Sequence, residues 1–321
     1  MINLSRRDVL IGAAFAASAL SASRSLAAAP FAGMQAPTLY RYKIGNYELT
    51  ALSDGLWERP IDDKFVRNAD PADVRKAMTD AFLPADKLPI PFTALLVNTG
   101  SKLVLIDTGS GGQMAATAGT FNANLAAAGV APEQIDIILI SHFHPDHING
   151  IKTKDDERYF PNAEIKVPQG EWDFWMDESL LGRAAPEIKG YVLNARRIFR
   201  NIAKDVTRFA PGAELAPGIS AIGATGHTPG HSAFSVAAGN DSVLVLSDTS
   251  NHPKLFVRHP EWQPVLDMDG EAAVATRRKL LDRAASDRML VQGYHFPFPG
   301  SGHIVRSGSG FELVPVEWRP L

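Results

Sequence analysis

The sequence predicts a layered α/β domain, and two observations carry that expectation. Strand-length apolar runs and helix-length amphipathic stretches alternate along the chain without a strict repeat, as layered α/β architecture requires. The apolar fraction is 45% and the charged fraction 21% over 321 residues, ordinary values for a folded domain and far from those of a disordered chain.

The first 29 residues read as a leader rather than as fold. Ser5-Arg6-Arg7-Asp8 precedes an apolar run from Val9 to Leu20, and Ala27-Ala28-Ala29 supplies the small residues that a signal peptidase accepts. The arginine pair points to the twin-arginine route. As a membrane anchor the run is too short, since a spanning helix takes ~20 residues. The expectation is therefore an exported chain, periplasmic or secreted, with residues 1–29 as signal and 30–321 as a single domain without a membrane span.

Within that domain, Pro30 to Pro37 reads as an irregular lead-in and Tyr40 to Leu52 as an edge strand or hairpin. Pro71 to Phe82 has helical spacing, with Val74, Met78 and Phe82 on one face and Asp70 as its N-cap. Phe92–Asn98 and Lys102–Ile106, around Thr99-Gly100-Ser101, read as a hairpin. Asp107-Thr108-Gly109 closes the second strand. Ala115 to Ala128 is Ala-rich and expected to be helical. Ile135 to Ile140 is an apolar run expected to be a strand buried on both faces. Further strands are expected at Glu164–Val167, Ile219–Ala224, Ala233–Ala237, Ser242–Leu246 and Met289–Gln292, and helices at Pro186–Ala203 and Gly270–Ala285. Trp172, Trp175 and Met176 share one helical face, read as core packing or as pocket lining.

A net charge of −3 gives no electrostatic case for a nucleic-acid partner. The chain has no cysteine, which removes disulfides, thiolate ligands and thiol nucleophiles together. The chemistry is concentrated in His142-Phe143-His144-Pro145-Asp146-His147, directly after the buried strand. Imidazole and carboxylate are the ligands of zinc and its first-row neighbours. In an extended segment residues two apart point the same way, so His142 and His144 can reach one ion. A turn after them would aim Asp146 and His147 at a second. Burying four such groups without a cation would be costly.

His-x-His-x-Asp-His resembles the signature of the metallo-β-lactamase superfamily. Gly226-His227-Thr228-Pro229-Gly230-His231, Leu246-Ser247-Asp248-Thr249 and Gly293-Tyr294-His295 resemble its later motifs, in the same order. The resemblance implies an αββα sandwich, two mixed sheets with helices on the outer faces. It implies two divalent metal ions per chain, with zinc the default and manganese, iron or cobalt compatible. His142, His144 and His231 would hold the first ion and Asp146, His147 and His295 the second, with Asp248 bridging. It further implies a hydroxide shared by the two ions as nucleophile, with Asp146 or Asp248 taking its proton. Asp107 would orient a ligand histidine, and His227 would stabilise the loop beside the site. Phe296, Phe298 and Trp175 are candidates for the pocket. His252 and His259, each before a proline, read as surface turns.

The stretch His295 to Ile304 resembles the methyl parathion hydrolase branch, which is related to lactonases and aryl esterases. The lactonases carry a tyrosine three residues after the bridging Asp, and Asn251 stands there instead. The implied activity is hydrolysis of small neutral esters or lactones, with phosphotriester cleavage alongside, by a chain that resemblance suggests is a homodimer. The alternatives are a glyoxalase-II-like thioesterase, a β-lactamase or an iron oxidoreductase on the same ligands. The absence of a basic cluster after His303, the missing cysteine and the lack of a flavin domain weigh against these three in turn.

Overall fold

Seven strands make the first sheet, in chain order: β1 (Leu39–Ile44), β2 (Tyr47–Pro60), β3 (Lys87–Asn98), β4 (Leu103–Ile106), β5 (Ile137–Leu139), β6 (Glu164–Pro168) and β7 (Val206–Phe209). β1 to β4 are antiparallel, and β4 to β7 are parallel. The second sheet holds β8 (Glu214–Ala216), β9 (Ile219–Gly223), β10 (Ser232–Ala238), β11 (Asp241–Ser247), β12 (Leu290–Gly293), β13 (Ser301–Ser307) and β14 (Gly310–Pro315). Only β11 and β12 pair in parallel there. The computed structural model describes residues 31–321, so the expected export signal lies outside the described residues.

Strand alternation explains the layers. Leu95, Val97, Val104, Ile106, Ile137 and Leu139 of the first sheet meet Phe234, Val236, Val243 and Val245 of the second in one buried cluster. Their neighbours in sequence point the other way. Leu96, Leu105 and Ile138 share a buried cluster with Val192, Ala195 and Ile198 of the helix α6 (Pro186–Phe199), which follows the one-turn helix α5 (Leu180–Arg183). Leu244 and Leu246 pack with Leu280 and Leu281 of the helix α7 (Gly270–Ser286). The result is helix, sheet, sheet, helix, the αββα sandwich.

Most expected elements are present, with shifted limits. Asp70 caps the helix α1 (Pro71–Asp80), accepting from the Ala72 amide at 2.8 Å. That helix stops before Phe82, which adopts φ 58° and is 97% exposed instead of joining Val74 and Met78 in the core. Only Phe121–Ala127 of the Ala-rich stretch is helical and forms α2. The residues before it have another use. The Leu56 amide donates to the Thr117 carbonyl at 3.1 Å and the Gly119 amide to the Asp54 carbonyl at 2.8 Å, which binds the stretch to the bulge in β2 at Gly55. Among the described residues no helix is long and apolar enough to cross a membrane.

Candidate metal centre

The strands β4, β5, β11 and β12 end beside one another, and each delivers a polar group as it ends. β4 gives Asp107, β5 leads into Ser141 and His142, β11 gives Asp248, and β12 leads into His295. Asp107 and Ser247 hold φ of 60° and 46°, left-handed values that side chains with a Cβ rarely adopt. Such strain gathers where the fold aims side chains at a site. Pro145 then starts the single turn α3 (Pro145–Ile148), which swings Asp146 and His147 past His144. The loop between β9 and β10 brings in His227.

The donor atoms converge in two groups around Asp248. His142 Nε2 and His227 Nε2 each lie 2.9 Å from His144 Nδ1. His147 Nε2 lies 3.3 Å from Asp146 Oδ2 and 3.2 Å from Asp248 Oδ1. His295 Nε2 lies 2.9 Å from Asp248 Oδ2 and 3.5 Å from Asp146 Oδ2. His142, His144 and His227 make one possible ion site, and Asp146, His147 and His295 a second; a third grouping, His142, His147 and Asp248, joins them.

A partner on the far nitrogen orients most of these rings. His147 Nδ1 faces Asp107 Oδ2 at 2.9 Å, His227 Nδ1 faces Asp267 Oδ1 at 3.0 Å, and His295 Nδ1 donates to the Pro91 carbonyl at 2.7 Å. His142 Nδ1 is 3.0 Å from Ser141 Oγ. Such partners place the proton on Nδ1 and leave the Nε2 lone pair facing inward. His147 Nε2 and Asp248 Oδ1 are both buried without a hydrogen-bond partner. Two acceptors 3.2 Å apart in a buried site repel unless a cation lies between them, so the residues present fit a metal ion.

Electrostatics shows the same need for positive charge beside Asp248, which a proton on His147 or a metal ion can supply. Burial, helped by neighbouring imidazoles, holds His142 well below its usual pKa and His144 down to about 3, so both rings are neutral. Burial also opposes charge on His147, but Asp146, Asp248 and Asp107 outweigh it and raise that ring well above the usual range. Burial pushes the Asp248 carboxyl up, and His295 and His147 outweigh it and hold the group well below the carboxylate range.

Two expectations exchange places. His231 was expected at the first ion and His227 beside it. In the structure His231 Nδ1 donates to the Ala224 carbonyl at 2.8 Å, and its Nε2 accepts from the Asp248 amide at 3.0 Å. Neither nitrogen is left for a metal. His231 instead locks the β9–β10 loop to the end of β11, and His227 takes the inward place.

The pocket expectations also change. The centre forms the floor of a cavity of about 570 Å³. Phe296 is fully buried and packs over Gly293 in the core beneath the second sheet. Phe298 is 37% exposed and lies off the cavity wall. Trp175 is buried and stands behind His144, ring centroids 6.1 Å apart, rather than on the wall. Trp172 and Met176 pack against the core. His252, expected in a surface turn, is buried. The wall comes from elsewhere: Trp57 and Arg59 of β2, Ile90 and Phe92 of β3, and Tyr191 of α6. The β2–β3 register sets Trp57 opposite Ile90 and Arg59 opposite Leu88, so the far end of this hairpin stands over the centre.

Glu171 was not foreseen at all. It sits fully buried in the helix α4 (Gln169–Trp175) and takes four donors. Phe143 N and Trp175 Nε1 donate to Oε2 at 2.8 and 2.7 Å, and Thr228 Oγ1 and Gly230 N to Oε1 at 2.6 and 2.7 Å. One carboxylate thus joins the His142–His147 segment to the loop that carries His227. A Cβ at Gly230 would meet the Glu171 amide at 2.1 Å, so only glycine allows this approach.

The family model of the metallo-beta-lactamase superfamily matches residues 91–295, well over half of the chain. The chain belongs to the metallo-beta-lactamase superfamily. Among solved structures of that fold it is similar to AidC, a dizinc quorum-quenching lactonase in complex with the product N-hexanoyl-L-homoserine. The TM-score is 0.83 at 28% identity, covering 88% of this chain and 99% of that one. It is equally similar to AbOPH, a hydrolase in the beta lactamase superfamily, with TM-score 0.83 and 28% identity over 89% and 100% of the two chains. An N-acyl homoserine lactonase from Bacillus sp is 22% identical over 258 residues, 74% of this chain and 91% of that protein. As a superfamily member with this cluster, the chain is a metal-dependent hydrolase.

Proposed function

We propose that this superfamily member is a dizinc lactonase, opening a lactone ring by hydrolysis, with N-acyl homoserine lactones as the class to test first. The observation that carries the proposal is the convergence of His142, His144 and His227, and of Asp146, His147 and His295, on either side of Asp248 at the cavity floor. Two zinc ions held there would make water nucleophilic at neutral pH and polarise the carbonyl to be attacked.

The remaining work falls to the chain. Asp248 faces both groups of donors: its Oδ2 lies 3.3 Å from His227 Nε2 of the first and 2.9 Å from His295 Nε2 of the second, and its Oδ1 lies 3.2 Å from His147 Nε2. Asp146 reaches the cavity and is the carboxylate placed to take a proton from the attacking water and return it to the leaving oxygen. Asn251 lines the same wall with both side-chain amide atoms unpaired, a donor and an acceptor for the ring oxygen or carbonyl. Trp57, Ile90, Phe92, Ile188 and Met268 supply an apolar wall that suits a neutral substrate with an alkyl or acyl arm. An export leader in residues 1–29 would place this activity outside the cytoplasm, and cell fractionation checks that part of the proposal.

The test is hydrolysis by the purified protein, with and without prior chelation, with metal analysis alongside. The panel holds an acyl-homoserine lactone, an aromatic lactone, a nitrophenyl ester, methyl parathion and a cephalosporin. The proposal expects two zinc ions per chain and chelator-sensitive turnover fastest on the lactones. Fastest turnover of methyl parathion would move the assignment to phosphotriesters. Two bound metals with no lactone turnover would refute the lactonase reading, and no bound metal would refute the metal centre.

A further inference from the structure

One charged side chain on the cavity wall forms no hydrogen bond or ion pair among the described residues. Arg59 stands two residues after Trp57 on β2, hence on the same face, and both line the cavity. Glu58, between them, faces away and reaches Lys87 at 3.8 Å. The Arg59 guanidinium lies 4.9 Å from the Trp57 ring centroid and 5.6 Å from that of Phe65. Its Nε is buried without a hydrogen-bond partner, and it forms no ion pair among the described residues. Asp62 and Tyr191 act on it electrostatically but do not close a bond, and burial weakens its hold on its proton. Arg67, on the same cavity, is by contrast engaged by the carbonyls of Asp267 and Val265 at 2.9 and 3.1 Å.

A half-buried guanidinium with free N–H groups is unfavourable unless something accepts them. Stacking on Trp57 satisfies its face, not its donors. The planar fork matches carbonyl or carboxylate oxygens. Nothing in the hydrolysis derived above uses Arg59, because the attacked carbonyl and the leaving oxygen both belong at the cavity floor.

We propose that Arg59, stacked on Trp57, is the specificity-determining residue of this site and binds an oxygen acceptor, carbonyl or carboxylate, on the substrate arm remote from the bond that is cut. This rests on the lactonase reading and narrows it, favouring lactones with an acylamino or acidic arm over plain alkyl lactones. Tyr191 lines the same cavity and acts electrostatically on Arg59.

The experiment compares metal-loaded wild type, Arg59→Leu and Arg59→Lys on three lactones with the same ring. One carries an N-hexanoylamino arm, one an alkyl arm of equal length, and one an arm ending in a carboxylate. The proposal expects Arg59→Leu to lower kcat/KM about tenfold, mainly through KM, on one or both oxygen-bearing lactones, with a much smaller loss on the alkyl lactone and partial recovery in Arg59→Lys. The substrate with the larger loss says whether the acceptor is carbonyl or carboxylate. Equal losses on all three lactones, or none, would overturn the proposal, since an arginine that only stacks on the wall cannot tell the arms apart. Should metal-loaded wild type cleave none of the three, the lactonase reading fails separately. Calorimetric binding of ring-opened N-hexanoyl homoserine then decides for Arg59: weaker binding to Arg59→Leu supports its role, and equal binding overturns it.

Discussion

His227 and His231 belong to one short motif, and only the atoms around each ring separate their roles. His227 keeps Nε2 toward the centre because Asp267 holds its other nitrogen, and Asp267 is fixed in turn by the buried Arg277 at 2.7 Å. His231 has both nitrogens satisfied inside the fold. The expected outcome of His227→Ala is loss of about one metal ion per chain and most activity. That exceeds the ~10–100-fold typical when an outer partner of a ligand is removed. His231→Ala should keep more metal but lose roughly 1–3 kcal/mol of stability, because the Asp248 amide is left without its acceptor. Metal analysis and denaturant titration of the two variants check this, and the reverse pattern would restore His231 to the centre. The motif could not show this difference, since the ring partners lie 7, 17 and 40 residues away in sequence.

At the scale of elements, the site depends on loops held by buried polar groups. Glu171 clamps the two histidine-bearing loops together through four hydrogen bonds. Glu171→Gln keeps the shape but puts an NH₂ group against N–H donors on one side or the other. The expected result is a loss of about 1–3 kcal/mol and weaker metal retention, read by melting temperature and dialysis against chelator. The segment after β11 carries a pH signature. Burial, aided by Lys254, lowers the pKa of His252 to about 4, against 6.5 when exposed. The neutral ring therefore stabilises the fold fully above pH 6.5, and that contribution is lost as pH falls from 6.5 through 4. The slope is about 1.4 kcal/mol per pH unit for one proton. His252→Gln should flatten the fall in stability over that window, measured by urea unfolding at several pH values. The elements themselves were largely readable from pattern. The short strand at β5 and the helices at Pro186 and Gly270 follow from apolar runs and spacing. The Ala115–Gly119 stretch did not, because hydrogen bonds to the β2 bulge overrode its helix propensity.

For the whole molecule, the centre joins both sheets: Asp107 and His142 come from the first, and Asp248 and His295 from the second. A bound metal therefore ties the two halves of the sandwich. Stripping it should lower the melting temperature as well as abolish turnover, with the temperature restored by added zinc in a concentration-dependent way. A melting temperature unchanged by chelation and by zinc would show that the centre holds no metal in the native protein.

Local pattern carried the layered α/β class and most of the donor set of the centre. Strand alternation and the crowding of His142, His144, Asp146 and His147 are local patterns, and local patterns survive in one dimension. Tertiary structure decided which histidine of the second motif turns inward, that Phe296 lies in the core, and that Trp57, Arg59 and Tyr191 form the cavity wall. It also decided that the buried Glu171, with four donors on its carboxylate, holds the loops together. Each of these depends on contacts between segments far apart in the chain, where the direction of a side chain is set by the atoms it meets and not by its own neighbours in sequence.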